Sequence, residues 1–202
     1  MRSTPFRVLA VLSAVAAVMF LASCDGTTPD EKPQPTSETA AINGEPAGSN
    51  AGDSSFAVSM IANHAQAVQV AELVPDRTTN SDLVELAADI VSSRRTEIEF
   101  MKALLVQWNA DATTSSMPDQ PPASAQGSID EQTVSHLQAL SSQDFDILWL
   151  QTLIPHAQGA IQIANAEIAD GENVDALGLA KQIVAKQQAE IDRMQQLLAS
   201  GG

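Results

Sequence analysis

Three histidines, six methionines and one cysteine are the soft and borderline donor side chains of this 202-residue chain, and their spacing decides what they could do together. Met60 and His64 are four apart. On a helix that spacing puts both on one face and presents sulfur beside nitrogen, a pair suited to a soft metal ion. His156 has Thr152 and Ala160 at the same spacing, so it needs a partner from another helix. Met60, His64 and His156 are therefore the candidate metal ligands. The competing reading makes the histidines hydrogen-bonded residues of the interior and Met60 core filler. Glu97 and Glu190 lie inside apolar stripes, where a paired or rim role is commoner than ligation. Met101 and Met194 read as core residues, Trp108 and Trp149 as packing anchors. His136 has no clear partner in sequence.

Known catalytic arrangements are missing from the sequence. It contains no Glu-x-x-His tetrapeptide of the kind di-iron bundles use, no Gly-x-Ser-x-Gly elbow and no glycine-rich phosphate loop. The expectation is a protein that is not an enzyme.

The one cysteine, Cys24, has a different use. Arg2 and Arg7 give a positive start, Val8 to Leu21 an apolar run broken only by Ser13, and Ala22 and Ser23 a small-residue ending. These are the three zones of a secretory signal, and the run is shorter than the roughly 20 apolar residues of a membrane span. Leu21-Ala22-Ser23-Cys24 resembles the lipobox of bacterial lipoproteins, which implies lipidation at Cys24, removal of residues 1–23 and an extracytoplasmic protein anchored to the cell membrane. Several acyl chains would anchor stably where one would not. The formal charge of −15 becomes about −17 once the two arginines are lost. That balance disfavours nucleic acid as a partner and a basic patch on anionic lipid. Residues 24–52 are rich in Pro, Thr, Ser, Gly, Asn and Glu without an apolar period, and read as a disordered, lipid-anchored linker.

The elements that must position the histidines come from an internal repeat. Residues 53–106, shifted by 93, fall on 146–199 without a gap, with about 16 identities in 54 positions. Asp53 meets Asp146, Asn80 meets Asn173, Glu97-Ile98 meets Glu190-Ile191, and Met101 meets Met194. Each copy reads as two helices. In copy one they run from about Asp53 to Val74, stopping before Pro75, and from the Asn80-Ser81-Asp82 cap to about Gln107. Leu83, Leu86, Ala87, Ile90, Ile98, Met101, Leu104 and Leu105 recur at steps of three and four, one apolar stripe. Copy two repeats this over about Ser142–Ala169 and Asn173–Ala199, with Gly171 as a helix-ending glycine. Pro155 lies inside the third long helix and predicts a kink there. Between the copies, Ala110 to Gly127 reads as an irregular crossover. Ser128-x-x-Glu131 predicts a capping box opening a short helix to about Leu140. The expected fold is all-α: two repeated helix pairs plus a short connecting helix, occupying residues 53–202.

Met60-Ile61-Ala62-Asn63-His64-Ala65-Gln66-Ala67 and Leu153-Ile154-Pro155-His156-Ala157-Gln158-Gly159-Ala160, with the residues that follow each, resemble the signature of the domain-of-unknown-function 305 family of bacterial envelope proteins. That signature reads Met-Ile-Pro-His-His, then Ala-Val or Ala-Ile, Glu, Met, Ala, in each of two copies. The resemblance runs from about residue 53 to 199. It implies a ferritin-like four-helix bundle and, through the His and Met residues of some members, copper binding or tolerance. This chain departs from the pattern where metal chemistry would sit. Asn63-His64 and His156-Ala157 each keep one histidine of the pair, and Gln69, Gln162, Val70 and Ile163 replace the glutamates and methionines. Two functions follow: an envelope lipoprotein that binds or buffers a soft metal such as copper, or one that kept the fold, lost the site and acts in structure or protein interaction. A homo-oligomer is compatible with either.

Overall fold

The computed structural model describes residues 48–109 and 127–201; the signal segment, Cys24 and most of the linker and crossover lie outside them. Among the described residues the chain forms five α-helices and no strand. They are α1 (Ala51–Ala71), α2 (Ser81–Gln107), α3 (Glu131–Ala139), α4 (Ser142–Asp170) and α5 (Val174–Ala199). The fold is the expected all-α bundle of two helix pairs with a short connecting helix. None of the described helices is long and apolar enough to cross a membrane.

Local chemistry sets the helix starts. Asn50 and Asp53 form a reciprocal capping box, which opens α1 at Ala51, two residues ahead of the expected Asp53. Asn80 and Asn173, repeat equivalents, each accept two backbone N–H groups at the start of α2 and α5. Two expectations need correction. First, α1 ends at Ala71, and Pro75 falls within a short 3-10 turn, Val74–Asp76, at the position where its missing N–H costs nothing. Second, the short helix is capped by Asp130, whose side chain accepts from Thr133 N, rather than by Ser128. Gly171 ends α4 as expected, with an extended backbone at φ −72°. It is needed for space: a Cβ there would lie 2.4 Å from Glu167 Oε1 and 2.7 Å from Glu167 O.

The pairs α1–α2 and α4–α5 pack closely, α1 and α4 join them, and α2 touches α5 only lightly. Two apolar clusters fill the bundle. One gathers Val70, Val74, Leu83, Leu86, Ile90, Phe145, Trp149, Leu150 and Met194. The other gathers Phe56, Met60, Met101, Leu104, Ala160, Ala176, Leu179 and Ile183. Trp149 is fully buried and its Nε1–H donates to Val70 O at 3.0 Å, so it anchors α4 on α1 through both packing and a hydrogen bond.

Each copy also grips the other's turn. Asp53 accepts the backbone N–H groups of Glu172 (3.1 Å) and Asn173 (2.9 Å) in the α4–α5 turn. Its repeat equivalent Asp146 accepts the Thr78 hydroxyl (3.0 Å) in the α1–α2 turn. The duplication is therefore a duplication in space, related by an approximate two-fold axis.

Candidate functional site

On each long helix a polar stretch interrupts the apolar stripe between the two clusters: Asn63-His64 on α1, Arg94 and Glu97 on α2, His156 on α4, Gln187 and Glu190 on α5. Together these form a polar layer across the middle of the bundle. Asn63, His64, Arg94, His156, Gln187 and Glu190 are all buried, and Glu97 is nearly so. Buried polar groups need partners, and most of these have them.

His64 is fully buried and its Nε2–H donates to Glu97 Oε2 at 2.7 Å, while the Asn63 amide lies 3.4 Å from Nδ1. Burial, reinforced by the nearby Arg94 charge, pushes the imidazole down to about 4, against the pull of Glu97. At neutral pH it is uncharged. Glu97 is held below the usual carboxylate range: burial would raise it, but the His64 hydrogen bond and the Arg94 charge outweigh burial. The same Oε2 takes a second contact from Arg94 Nη1 at 3.4 Å, and Arg94 Nη2 donates to Glu190. Burial raises Glu190 above its ordinary value despite Arg94.

His156 has two carbonyls for neighbours, Gly127 O at 2.7 Å from Nδ1 and Asn63 O at 3.0 Å from Nε2. Burial lowers its pKa although both carbonyls favour the protonated ring. The neutral ring has one N–H and donates to one of them at a time. Gly127 belongs to this contact by necessity. Its φ is +79°, and a Cβ there would lie 2.6 Å from Pro155 O and 3.1 Å from His156 Cα.

The structure gives each sequence-predicted ligand another partner or a place in the core. Met60 is fully buried in the apolar cluster with Phe56 and Met101. His64 is committed to Glu97 and His156 to backbone carbonyls. A soft ion would have to take a thioether out of the core and break these hydrogen bonds, so the donor set does not fit one as it stands. Among the described residues no group of three or more His, Cys, Asp or Glu side chains could hold a metal ion. Glu97 and Glu190 take the paired role. His136 is exposed on α3. Sequence reasoning missed Arg94, although an arginine three residues before a glutamate in an apolar stripe signals a buried pair.

A cleft of ≈ 510 Å³ opens along the α2–α5 seam, lined by Glu97, Phe100, Val174, Leu179 and Lys186 among others. Ser93 and Lys186, which are repeat equivalents, line both this cleft and a neighbouring one that reaches Glu190. Far from the layer, Asp53 and Glu167 form a second buried carboxyl cluster. Burial and the Asp53 carboxylate raise Glu167 to about 8, and neither of its oxygens meets a donor. Asp53 stays low: three backbone N–H groups and the Glu167 carboxyl outweigh its burial. The pair holds a proton at neutral pH.

The model of the family described as "domain of unknown function (DUF305)" matches residues 53–198, the span of both repeats. The chain belongs to the DUF305 family. Solved DUF305 structures share its fold. A protein from Streptomyces coelicolor, described as secreted, is 26% identical with a TM-score of 0.66, over 75% of this chain and 94% of that one. A DUF305 fragment from Deinococcus radiodurans is 27% identical with a TM-score of 0.66, over 77% and 99%. CopM in its Cu(II)-bound form is 25% identical with a TM-score of 0.61, over 73% and 96%; it has also been solved with Cu(I) and with Ag. No curated protein sequence matches the chain. The bundle fold is therefore common ground between this chain and a protein solved with bound copper and silver.

Proposed function

We propose that this DUF305 protein is a non-enzymatic, extracytoplasmic bundle, tethered through Cys24 to the membrane, whose histidines serve the fold and which acts in structure or protein interaction. The observation that carries this reading is the His64–Glu97–Arg94–Glu190 chain of contacts, which engages Nε2 of the more buried histidine. The signal-like start and the secreted relative support the location. Thermal unfolding of the metal-free protein with and without Cu(I) and Cu(II) tests it. An unchanged melting temperature is expected, because tight binding to the native state must raise it.

A second reading is copper capture, favoured by one observation: CopM, with the same fold, has been solved with both copper oxidation states. On that reading His64 or His156 would exchange its present partner for the ion, with Met60 as the nearest sulfur on α1. A copper-induced rise in melting temperature that is lost in the His64→Ala, His156→Ala double variant would establish it and remove the first.

A further inference from the structure

The two clasps between the repeats are equivalent in sequence and differ in chemistry. Asp53 and Asp146 occupy the same place in their copies, but the repeat equivalent of Glu167 is Val74. Val74 belongs to the apolar core, whereas Glu167 turns its carboxyl onto Asp53. Both carboxyls are out of solvent, Asp53 at 0% and Glu167 at 2% relative exposure. Asp53 is well supplied with donors: Oδ2 takes the Asn50 N–H at 2.6 Å, and Oδ1 takes those of Glu172 and Asn173. Neither Glu167 oxygen has a donor. Gly171, by lacking a Cβ, leaves the space in which the Glu167 carboxyl lies. The charged residues around it are acidic: Asp53 on α1, Asp170 on its own helix, Glu172 in the turn and Asp175 at the start of α5. No cation is among the groups that act on it. Two bare carboxylates would repel in this dry pocket, so one carries a proton and its hydroxyl donates to the other. The backbone donors favour the Asp53 anion, which leaves the proton on Glu167.

We propose that this proton is a latch on one end of the bundle: it fastens the α4–α5 turn to the start of α1, and its loss loosens that end while the Asp146 clasp stays shut. What it fastens is the point where the chain enters the bundle. Asn173 Nδ2 donates to Gly48 O at 3.3 Å and Asn50 Nδ2 to Asp170 O at 2.8 Å, so residues 48–50 lie on the same turn. At the other end a hydroxyl replaces the acid pair: Thr78 Oγ1 donates to Asp146 at 3.0 Å and accepts the Asn80 N–H at 3.1 Å. That arrangement has no proton to lose near neutral pH. Glu167 sits at about 8 in the closed form, against an ordinary 4.5 once released into water. Opening therefore frees one proton, and each pH unit between about 5 and 8 favours the open end roughly tenfold, with little further change above. No residue of the polar layer takes part, so the latch is independent of the reading of the histidines above.

Asn173 and Asn80 are repeat equivalents, so their backbone amides report the two ends under identical conditions. Hydrogen exchange of both amides is read by NMR on the intact chain from about pH 5 to about pH 8 and corrected for intrinsic exchange. Protection of the Asn173 amide should fall by roughly two orders of magnitude across that range, while that of Asn80 stays level. Glu167→Gln keeps an N–H toward Asp53 without the titration, and Glu167→Val installs the residue of copy one. In both variants the pH dependence at Asn173 should vanish. Should the valine variant fail to fold, the glutamine variant carries the test. Equal pH dependence at Asn173 and Asn80 in wild type overturns the proposal, as does none at either. A slope at Asn173 that persists in Glu167→Gln overturns it too.

Discussion

His156 and Asn63 occupy equivalent positions of the two repeats, 93 residues apart, and they touch: His156 Nε2 lies 3.0 Å from Asn63 O. A residue can contact its own repeat equivalent only near the axis that relates the copies. Ser93 and Lys186, also equivalents, line the same clefts on the α2–α5 side. The axis therefore runs from the α1–α4 contact through the polar layer to the α2–α5 seam. Symmetry is broken along this line, with Asn63 against His156, His64 against Ala157 and Arg94 against Gln187.

Acid should weaken the fold through His64. Its native pKa of about 4 lies below the ordinary imidazole value of 6.5, so the stability it contributes is complete above about pH 6.5 and is lost as pH falls toward 4. Over that range wild type should lose roughly 3 kcal/mol that a His64→Gln variant does not lose. Urea unfolding at half-unit steps from pH 7.5 to 4 measures the difference. Parallel curves for the two proteins would refute it.

Glu167 should act in the opposite direction. With its pKa raised to about 8 from 4.5, its contribution is complete below about pH 4.5 and falls as pH rises through 8. Glu167→Gln keeps the shape without the titration. Relative to wild type it should gain about 1–3 kcal/mol between pH 5 and pH 8. Guanidinium melts at those two values suffice, and a constant difference between variant and wild type would sink the prediction.

Met60 can be tested as core rather than ligand by borrowing from copy two, where Leu153 holds the equivalent place. Met60→Leu should cost less than about 1.5 kcal/mol, whereas Met60→Ala should cost about 2–4 kcal/mol. Chemical denaturation reads both. A costly leucine variant would mean the sulfur has a task that packing does not supply.

Gly127→Ala combines a left-handed backbone with a contact that cannot yield, since the new Cβ would lie 2.6 Å from the Pro155 carbonyl. The crossover end should detach from α4 and release the His156 ring, at a cost of about 2–4 kcal/mol. Limited proteolysis should then cut faster just before α3. Unaltered cleavage and stability would show that the segment adapts.

The helices were legible because their signals are local or periodic: the Asn80 and Asn173 caps, the stripe from Leu83 to Leu105, and the repeat that made one half predict the other. The polar layer was only half legible. The repeat marked Glu97 and Glu190, but Arg94 has no equivalent cation in copy two, so self-comparison passed over it. Met60 and His64 were correctly placed on one helix, yet four-residue spacing says nothing about depth, and both turned out to face the interior. The sequence marks Gly127 as the end of a loop and Gly171 as a helix stop. Their reasons lie in what each approaches, Pro155 for one and Glu167 for the other, and approach across 28 residues or across a turn leaves no mark in a linear pattern.

The crossed clasp, in which Asp53 secures the α4–α5 turn and Asp146 the α1–α2 turn, bears on how such a molecule could be divided. A single copy cut out on its own would keep an aspartate with nothing to hold and a turn with nothing holding it. It would meet both needs by pairing with another of its kind. The two halves of this chain behave as partners that happen to be covalently joined, and separated fragments should seek each other out.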